Sequence, residues 1–230
     1  MSEPTHIASV IDHTLLKPEA AWEDVQRIVD EALRYRFASV CVNGVYVSRV
    51  AVALADSAVK TCAVVGFPLG AGSNEAVCGE AECAARDGAD EIDFVAHVPM
   101  LLACDEDGAA AAFENVVDAA RCVRDGVMVK AIFETAVLMR DADAGLAQRR
   151  IASACRAAKR AGCDFVKTST GFHPAGGATV EAVGLLAQHA DGMGVKASGG
   201  IRSRSDAMTM IEAGATRLGC SASVAIVEGE

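Results

Sequence analysis

Two rhythms of apolar positions alternate along the chain. Short runs rich in Val, Ile and Ala occupy residues 8–11, 38–42, 61–66, 91–95, 127–133, 164–168, 195–198 and 216–219. They read as strands. Between them lie longer stretches whose apolar positions fall three and four apart, at 21–37, 73–87, 106–124, 144–161, 179–189 and 203–212. In the first of these, Val25, Ile28, Val29 and Ala32 share one helical face. Several stretches stop at a glycine just before the next strand, at Gly88, Gly162 and Gly214. Glycine takes the left-handed conformation that closes a helix.

Strict alternation of strand and helix implies a parallel sheet. Eight strands in 230 residues favour a closed (β/α)8 TIM barrel, for which about 250 residues is typical, over an open doubly wound sheet. No GxGxxG follows the first strand, which counts against a dinucleotide-binding fold. No linker, low-complexity tract or composition shift divides the chain, so residues 1–230 are expected to form one barrel domain. Hydrophobic residues make up 52% of the sequence and aromatics only 4%, with Ala, Val and Gly supplying most of the apolar content. That mix suits buried parallel strands packed on small-faced helices and excludes a disordered chain.

A formal net charge of -10 makes nucleic acid and anionic membranes poor partners. No apolar run reaches the roughly 18 residues of a transmembrane helix, and the opening MSEPTHIASV lacks the basic and apolar parts of a signal peptide. Nine cysteines are scattered with no CxxC pair. Reduced thiols in the cytoplasm explain them better than disulfides or zinc. No His, Cys or carboxylate group has the spacing of a metal site along the chain, so neither metal nor cofactor is expected.

Charges interrupt four of the strands. Glu91 and Asp93 fall in the fourth, Lys130 in the fifth, Lys167 in the sixth and Lys196 in the seventh. A charge inside a barrel is costly unless paired, so these positions point to function. Period-two alternation turns Asp93, Lys167 and Lys196 inward, at or near the C-terminal strand ends where barrel active sites are built. Lys167 and Lys196 lie on neighbouring strands and should converge. A second cation and partial desolvation both disfavour the protonated form of an amine whose ordinary pKa is about 10.4. Lys167 then becomes a nucleophile toward an aldehyde, with Asp93 placed to relay the proton. A purely structural ion-pair network is the competing reading. Lys130, one alternation below Glu134, reads as readily as an internal ion pair as a catalytic group.

Glycines cluster after the late strands, at Gly171, Gly176-Gly177, Gly199-Gly200 and Gly219, the last followed closely by Ser221. Barrel loops at these places commonly hold phosphate through backbone N–H groups. Local amide dipoles let an acidic protein bind an anion there.

Taken together, several segments resemble the deoxyribose-phosphate aldolase family. They are Ile11-Asp12-His13-Thr14-Leu15-Leu16-Lys17-Pro18, Ser39-Val40-Cys41-Val42-Asn43, Gly88-Ala89-Asp90-Glu91-Ile92-Asp93, Phe165-Val166-Lys167-Thr168-Ser169-Thr170-Gly171 and Gly194-Val195-Lys196-Ala197-Ser198-Gly199-Gly200. The resemblance runs over essentially the whole chain. It implies a class I, Schiff-base-forming aldolase. Such an enzyme reversibly cleaves 2-deoxy-D-ribose 5-phosphate to D-glyceraldehyde 3-phosphate and acetaldehyde, in deoxyribonucleoside catabolism. It further implies that Lys167 forms the imine, that Lys196 tunes it and assists proton transfer, and that Asp93 works in the relay. Asp12, Thr14, Cys41 and Thr168 would line the substrate pocket. Gly171, Gly199, Gly200, Gly219 and Ser221 would bind the phosphate. Members are often dimers or tetramers, so a homo-oligomer is expected. The chain departs from the family pattern at Gly44, where Pro is usual, at His97 and Pro99 after the fourth strand, and at Ser223 in place of Gly.

Overall fold

Alternate residues of each strand face opposite sides, and the two sides meet different surroundings. In β4 (Glu91–Val95), Phe94 turns outward against Phe113 with ring centroids 5.1 Å apart, while Asp93 on the other face is buried among charged groups. The outward set, which includes Ile92, Val129, Val166 and Val195, joins one continuous apolar layer with the helices. Full burial of each such side chain stabilises by about 1.5–3 kcal/mol.

The computed structural model describes residues 7–229. Eight parallel strands pair in chain order and the last closes on the first, forming the expected (β/α)8 barrel. Besides β4 they are β1 (Ile11–Leu15), β2 (Ser39–Asn43), β3 (Lys60–Val65), β5 (Met128–Ile132), β6 (Phe165–Lys167), β7 (Gly194–Ser198) and β8 (Arg217–Cys220). Around them run α1 (Trp22–Tyr35), α2 (Val47–Leu54), α3 (Asn74–Arg86), α4 (Val98–Leu102), α5 (Glu106–Val123), α6 (Thr135–Met139), α7 (Ala144–Arg160), α8 (Val180–His189), α9 (Arg204–Glu212) and α10 (Ser223–Glu228). Alanine-rich faces on α5 and α7 let those helices lie close to the barrel wall. Gly88, Gly162 and Gly214 all take positive φ behind their helices.

Two expectations change. Residues 8–10 form a single 3-10 turn, and the first strand begins where that run ended, at Ile11. Buried Asp12 and His13 make this strand look polar in sequence. The second helix, α2, was not anticipated, because its eight residues span barely two turns and leave little periodicity to read. Much of the segment MSEPTHIASV lies outside the described residues. Among the described residues, no helix is long and apolar enough to cross a membrane, and all nine cysteines are unbridged.

Register is what assembles the site. Asp93 lies opposite Lys130, Lys167 opposite Lys196, and Lys196 opposite Arg217. Directly paired residues on parallel neighbours point the same way, so these charges stack around the inside of the barrel.

Candidate active site

Lys167 is the last residue of β6 and only 3% exposed. Its Nζ donates to Asp93 Oδ2 at 2.8 Å. Lys196 Nζ reaches the same oxygen at 2.7 Å and also pairs with Asp12 Oδ2. Lys130 Nζ lies 2.7 Å from Asp93 Oδ1, 2.6 Å from Glu91 Oε2 and 3.8 Å from Asp12 Oδ2. Arg217 closes the circuit, donating to Asp12 Oδ1 at 2.8 Å and Glu91 Oε1 at 3.1 Å. The result is a ring of alternating charge, Arg217–Asp12–Lys196–Asp93–Lys130–Glu91, with Lys167 attached at Asp93. Fully ionised, it holds four cations against three carboxylates.

Burial opposes ionisation of Asp93, but Lys130, Lys167 and Lys196 overcome it and hold the carboxyl well below the usual range. Asp12 behaves alike: burial works against its charge, and Lys196, Lys130 and Arg217 prevail. Burial would also strip the protons from Lys130 and Lys196. Asp93 dominates the opposing pull on Lys130, and Asp12 that on Lys196, so both ammonium groups are held above the ordinary lysine value. The sign of the pH dependence follows. Depressed carboxyls stabilise the fold fully above their ordinary pKa of about 4 and lose that contribution as pH falls through their lowered folded values. Raised lysines contribute fully below about 10.4 and lose it only as pH climbs through their folded values. Thermal melts should therefore show a plateau between about pH 5 and 9, with a steep fall below about 4. A melting temperature that dropped from about pH 7 to 5 would contradict this pairing.

Above the ring, at the C-terminal ends of the strands, opens a cavity of about 300 Å³. Lys167 is the one member of the charge cluster in its wall; Thr14, Gly171, Gly199, Gly200, Gly219 and Ser221 line it as well. Asp93 and Lys196 lie deeper than their sequence position suggests, each at the middle of a five-residue strand. Asp12, Cys41 and Thr168 are likewise buried and outside the cavity lining. Thr14 Oγ1 donates to the Asp12 carbonyl at 2.8 Å. Thr168 Oγ1 is occupied with the β7 backbone, accepting from Ser198 N at 3.0 Å and lying 3.2 Å from Ser198 O. A hydrogen bond from the Cys62 thiol lowers the pKa of Cys41, while burial pushes Cys62 up.

The loops after β6 and β7 clasp each other. Ser169 Oγ donates to Ser198 O at 2.6 Å, and Ser198 Oγ returns a bond to Ser169 O at 2.5 Å. The backbones at Gly177 and Gly199 touch so closely that a Cβ on Gly177 would lie 2.3 Å from Gly199 O. Only glycine fits there.

Sequence reasoning missed four features. Lys17 and Arg202 stand in the cavity wall beside the glycine loops, adding side-chain cations to the expected amide dipoles. Both were visible as basic residues just after the first and seventh strands. Lys130 pairs with Asp93 and Glu91, not with Glu134. Arg217 closes the ring, and nothing in its local sequence signals that. Finally, the fold gathers two groups of metal-ligating types, Cys41/Cys62/Asp93 and Asp12/Cys62/Glu91, with their donor atoms within 4.8 Å of one another, although none are spaced as metal ligands along the chain. Ammonium groups of Lys130 and Lys196 already pair with these carboxylates, so the negative charge a metal would need is spent on lysine.

The departures lie away from the cavity lining. Ser223 Oγ is buried, donates to Cys220 O at 3.0 Å and lies 2.9 Å from His13 Nδ1. His97 is exposed at the start of α4, followed by Pro99, and Gly44 opens a 3-10 turn with nothing near its missing Cβ.

Residues 7–226 match the model of the DeoC/LacD family aldolases. The chain belongs to this family. Among its relatives, a deoxyribose-phosphate aldolase of Thermoanaerobacter sp. is 47% identical over 224 residues, covering 97% of this chain and 96% of the relative. One from Streptococcus gordonii is 48% identical over 221 residues, covering 96% and 94%. A deoxyribose phosphate aldolase from Aeropyrum pernix, described as having a unique tetrameric structure, superposes with a TM-score of 0.87 at 36% identity and covers 98% of this chain and 91% of that one. As a member of this family the chain is an aldolase, and therefore a lyase.

Proposed function

We propose that this aldolase reversibly cleaves 2-deoxy-D-ribose 5-phosphate to D-glyceraldehyde 3-phosphate and acetaldehyde through an imine on Lys167. One observation carries the reading: of the buried charges among the described residues, Lys167 alone faces the cavity, and it faces one carboxylate where Lys130 and Lys196 face at least two. With four cations against three carboxylates, loss of one proton from Lys167 leaves the buried cluster balanced. Attack of the neutral amine on the sugar aldehyde at C1 forms a carbinolamine; the proton first taken from Lys167 returns to its hydroxyl, which leaves as water and gives a protonated imine. The proton on the C3 hydroxyl then leaves and the C2–C3 bond breaks. Its electron pair moves into an enamine, and C3 departs as the aldehyde of glyceraldehyde 3-phosphate. Protonation at C2 and addition of water release acetaldehyde and regenerate Lys167. The protonated imine is itself the electron sink, so the chemistry calls for no metal or other cofactor.

Asp93 Oδ2, shared by Lys167 and Lys196 at 2.8 and 2.7 Å, suits the proton relay, with Lys196 kept cationic by Asp12 and Asp93. Asp12 orients Lys196, and Thr14 walls the substrate. Cys41 and Thr168 support the floor beneath it. Gly171, Gly199, Gly200, Gly219 and Ser221 would hold the phosphate, aided by Lys17 and Arg202. The names of the relatives speak for the same substrate. Residues 1–230 acting as one domain, a homo-oligomeric assembly such as the tetramer of the Aeropyrum pernix relative, and a cytoplasmic role in deoxyribonucleoside catabolism complete the proposal.

Purified enzyme given 2-deoxy-D-ribose 5-phosphate should release acetaldehyde at a rate unchanged by EDTA. No acetaldehyde, or strong inhibition by EDTA, would overturn the reading.

A further inference from the structure

The phosphate loop after β6 hangs on a residue just past the neighbouring strand. Glu134 stands two residues past the end of β5, just before α6, and adopts φ 53°, ψ 56°. That left-handed conformation is uncommon outside glycine and persists where the surroundings over-determine it. Its side chain is buried, with 2% of the residue exposed. Oε1 accepts the Thr170 N–H at 2.7 Å, and Oε2 has no hydrogen-bond partner among the described residues. The Thr135 N–H donates to Thr168 O at 2.8 Å, tying the same turn to the end of β6.

The Thr170 N–H belongs to the peptide that joins Ser169 to Thr170. The carbonyl of that peptide is held from the other side by Ser198 Oγ at 2.5 Å. One peptide plane is thus gripped at both ends, by Glu134 from just past β5 and by Ser198 from β7. Thr170, Gly171 and Phe172 follow it into the cavity wall. Thr170 Oγ1 accepts the Phe172 N–H at 3.1 Å, which brackets Gly171 in its φ of 80°. A carboxylate acceptor is stronger than a neutral one, and its backbone partner is correspondingly better fixed.

We propose that Glu134 is a positioning residue for the phosphate end of the cavity, holding the Ser169–Thr170 peptide so that Gly171 and the backbone after it meet the anion in a preset geometry. This rests on the phosphate reading given above. Glu134 does not line the cavity, so its effect reaches substrate only through the loop, and only through the part of the substrate that the loop holds.

The test compares 2-deoxy-D-ribose 5-phosphate with unphosphorylated 2-deoxy-D-ribose. Glu134→Gly removes the acceptor at a backbone angle glycine adopts freely. It should raise KM for the phosphorylated sugar about tenfold, leave its kcat within about twofold, and leave kcat/KM for the free sugar within about twofold. Glu134→Gln keeps an acceptor and should stay within about threefold of wild type on both. Should Glu134→Gly fail to fold by thermal melting, Glu134→Asn tolerates the left-handed backbone angle while its shorter side chain no longer reaches the Thr170 N–H. The same selective rise in KM is then expected. Equal loss on both sugars, no loss, or a Gln variant as impaired as the Gly variant overturns the inference. A wild-type enzyme that treats the two sugars alike overturns the phosphate reading and this inference with it. A wild-type preference left undiminished by Glu134→Gly, or by Glu134→Asn in its place, overturns the inference alone.

Discussion

Lys167→Leu should lower kcat/KM for 2-deoxy-D-ribose 5-phosphate by about four orders of magnitude, equivalent to about 5.5 kcal/mol of transition-state stabilisation. Covalent catalysis leaves no substitute when the nucleophile is gone. The fold should survive the change. Lys167 supplies the cation in excess of the three carboxylates, and Asp93 keeps Lys130 and Lys196 as partners without it. The melting temperature should therefore stay within a few degrees of wild type, about 1 kcal/mol or less. Loss of activity through unfolding would show as a much larger drop. An active, folded Lys167→Leu enzyme would remove the imine from the mechanism.

Asp93→Asn should fail in the opposite way, in stability as well as rate. One carboxylate serves three ammonium groups, with Nζ–O distances of 2.7 to 2.8 Å. Asparagine is nearly the same size but carries no charge, so four cations would face two carboxylates in a closed interior. Lys130 would retain Glu91 and Asp12, and Lys196 would retain Asp12, but Lys167 would lose its one partner. Breaking a buried pair from one side typically costs about 3–5 kcal/mol. At about 2–4 °C per kcal/mol for a chain of this length, the melting temperature should fall by roughly 6–20 °C. Turnover should fall with it, since the relay oxygen between Lys167 and Lys196 is gone. A variant as stable as wild type would mean that the ring is not held together at Asp93.

The barrel is legible because seven of its strands fall in short apolar runs that strictly alternate with amphipathic helices, even where isolated charges interrupt them, and that alternation has few alternative folds. β1 was displaced by three residues for the opposite reason. Its buried Asp12 and His13 are polar because Asp12 belongs to the charge ring and His13 bridges Ser223 and Glu31. Lys167 and Lys196 stood out as charges in strands otherwise continuous with the core. Arg217 did not, since a basic residue at the start of a strand reads as solvent-facing until its register opposite Lys196 is known. The ring itself is a property of register: Asp12 and Arg217 are 205 positions apart and still touch. The sequence offers Glu134 only as a possible partner for Lys130. Its true partner is a backbone N–H, and a backbone N–H leaves no trace in sequence.

Lys167 chemistry is most directly tested by trapping. Enzyme incubated with acetaldehyde and sodium borohydride should lose activity irreversibly. Peptide mass spectrometry should then find one added ethyl group, on Lys167. A fully active, unmodified enzyme after that treatment, or an ethyl group on Lys130 or Lys196 in place of Lys167, would contradict the assignment.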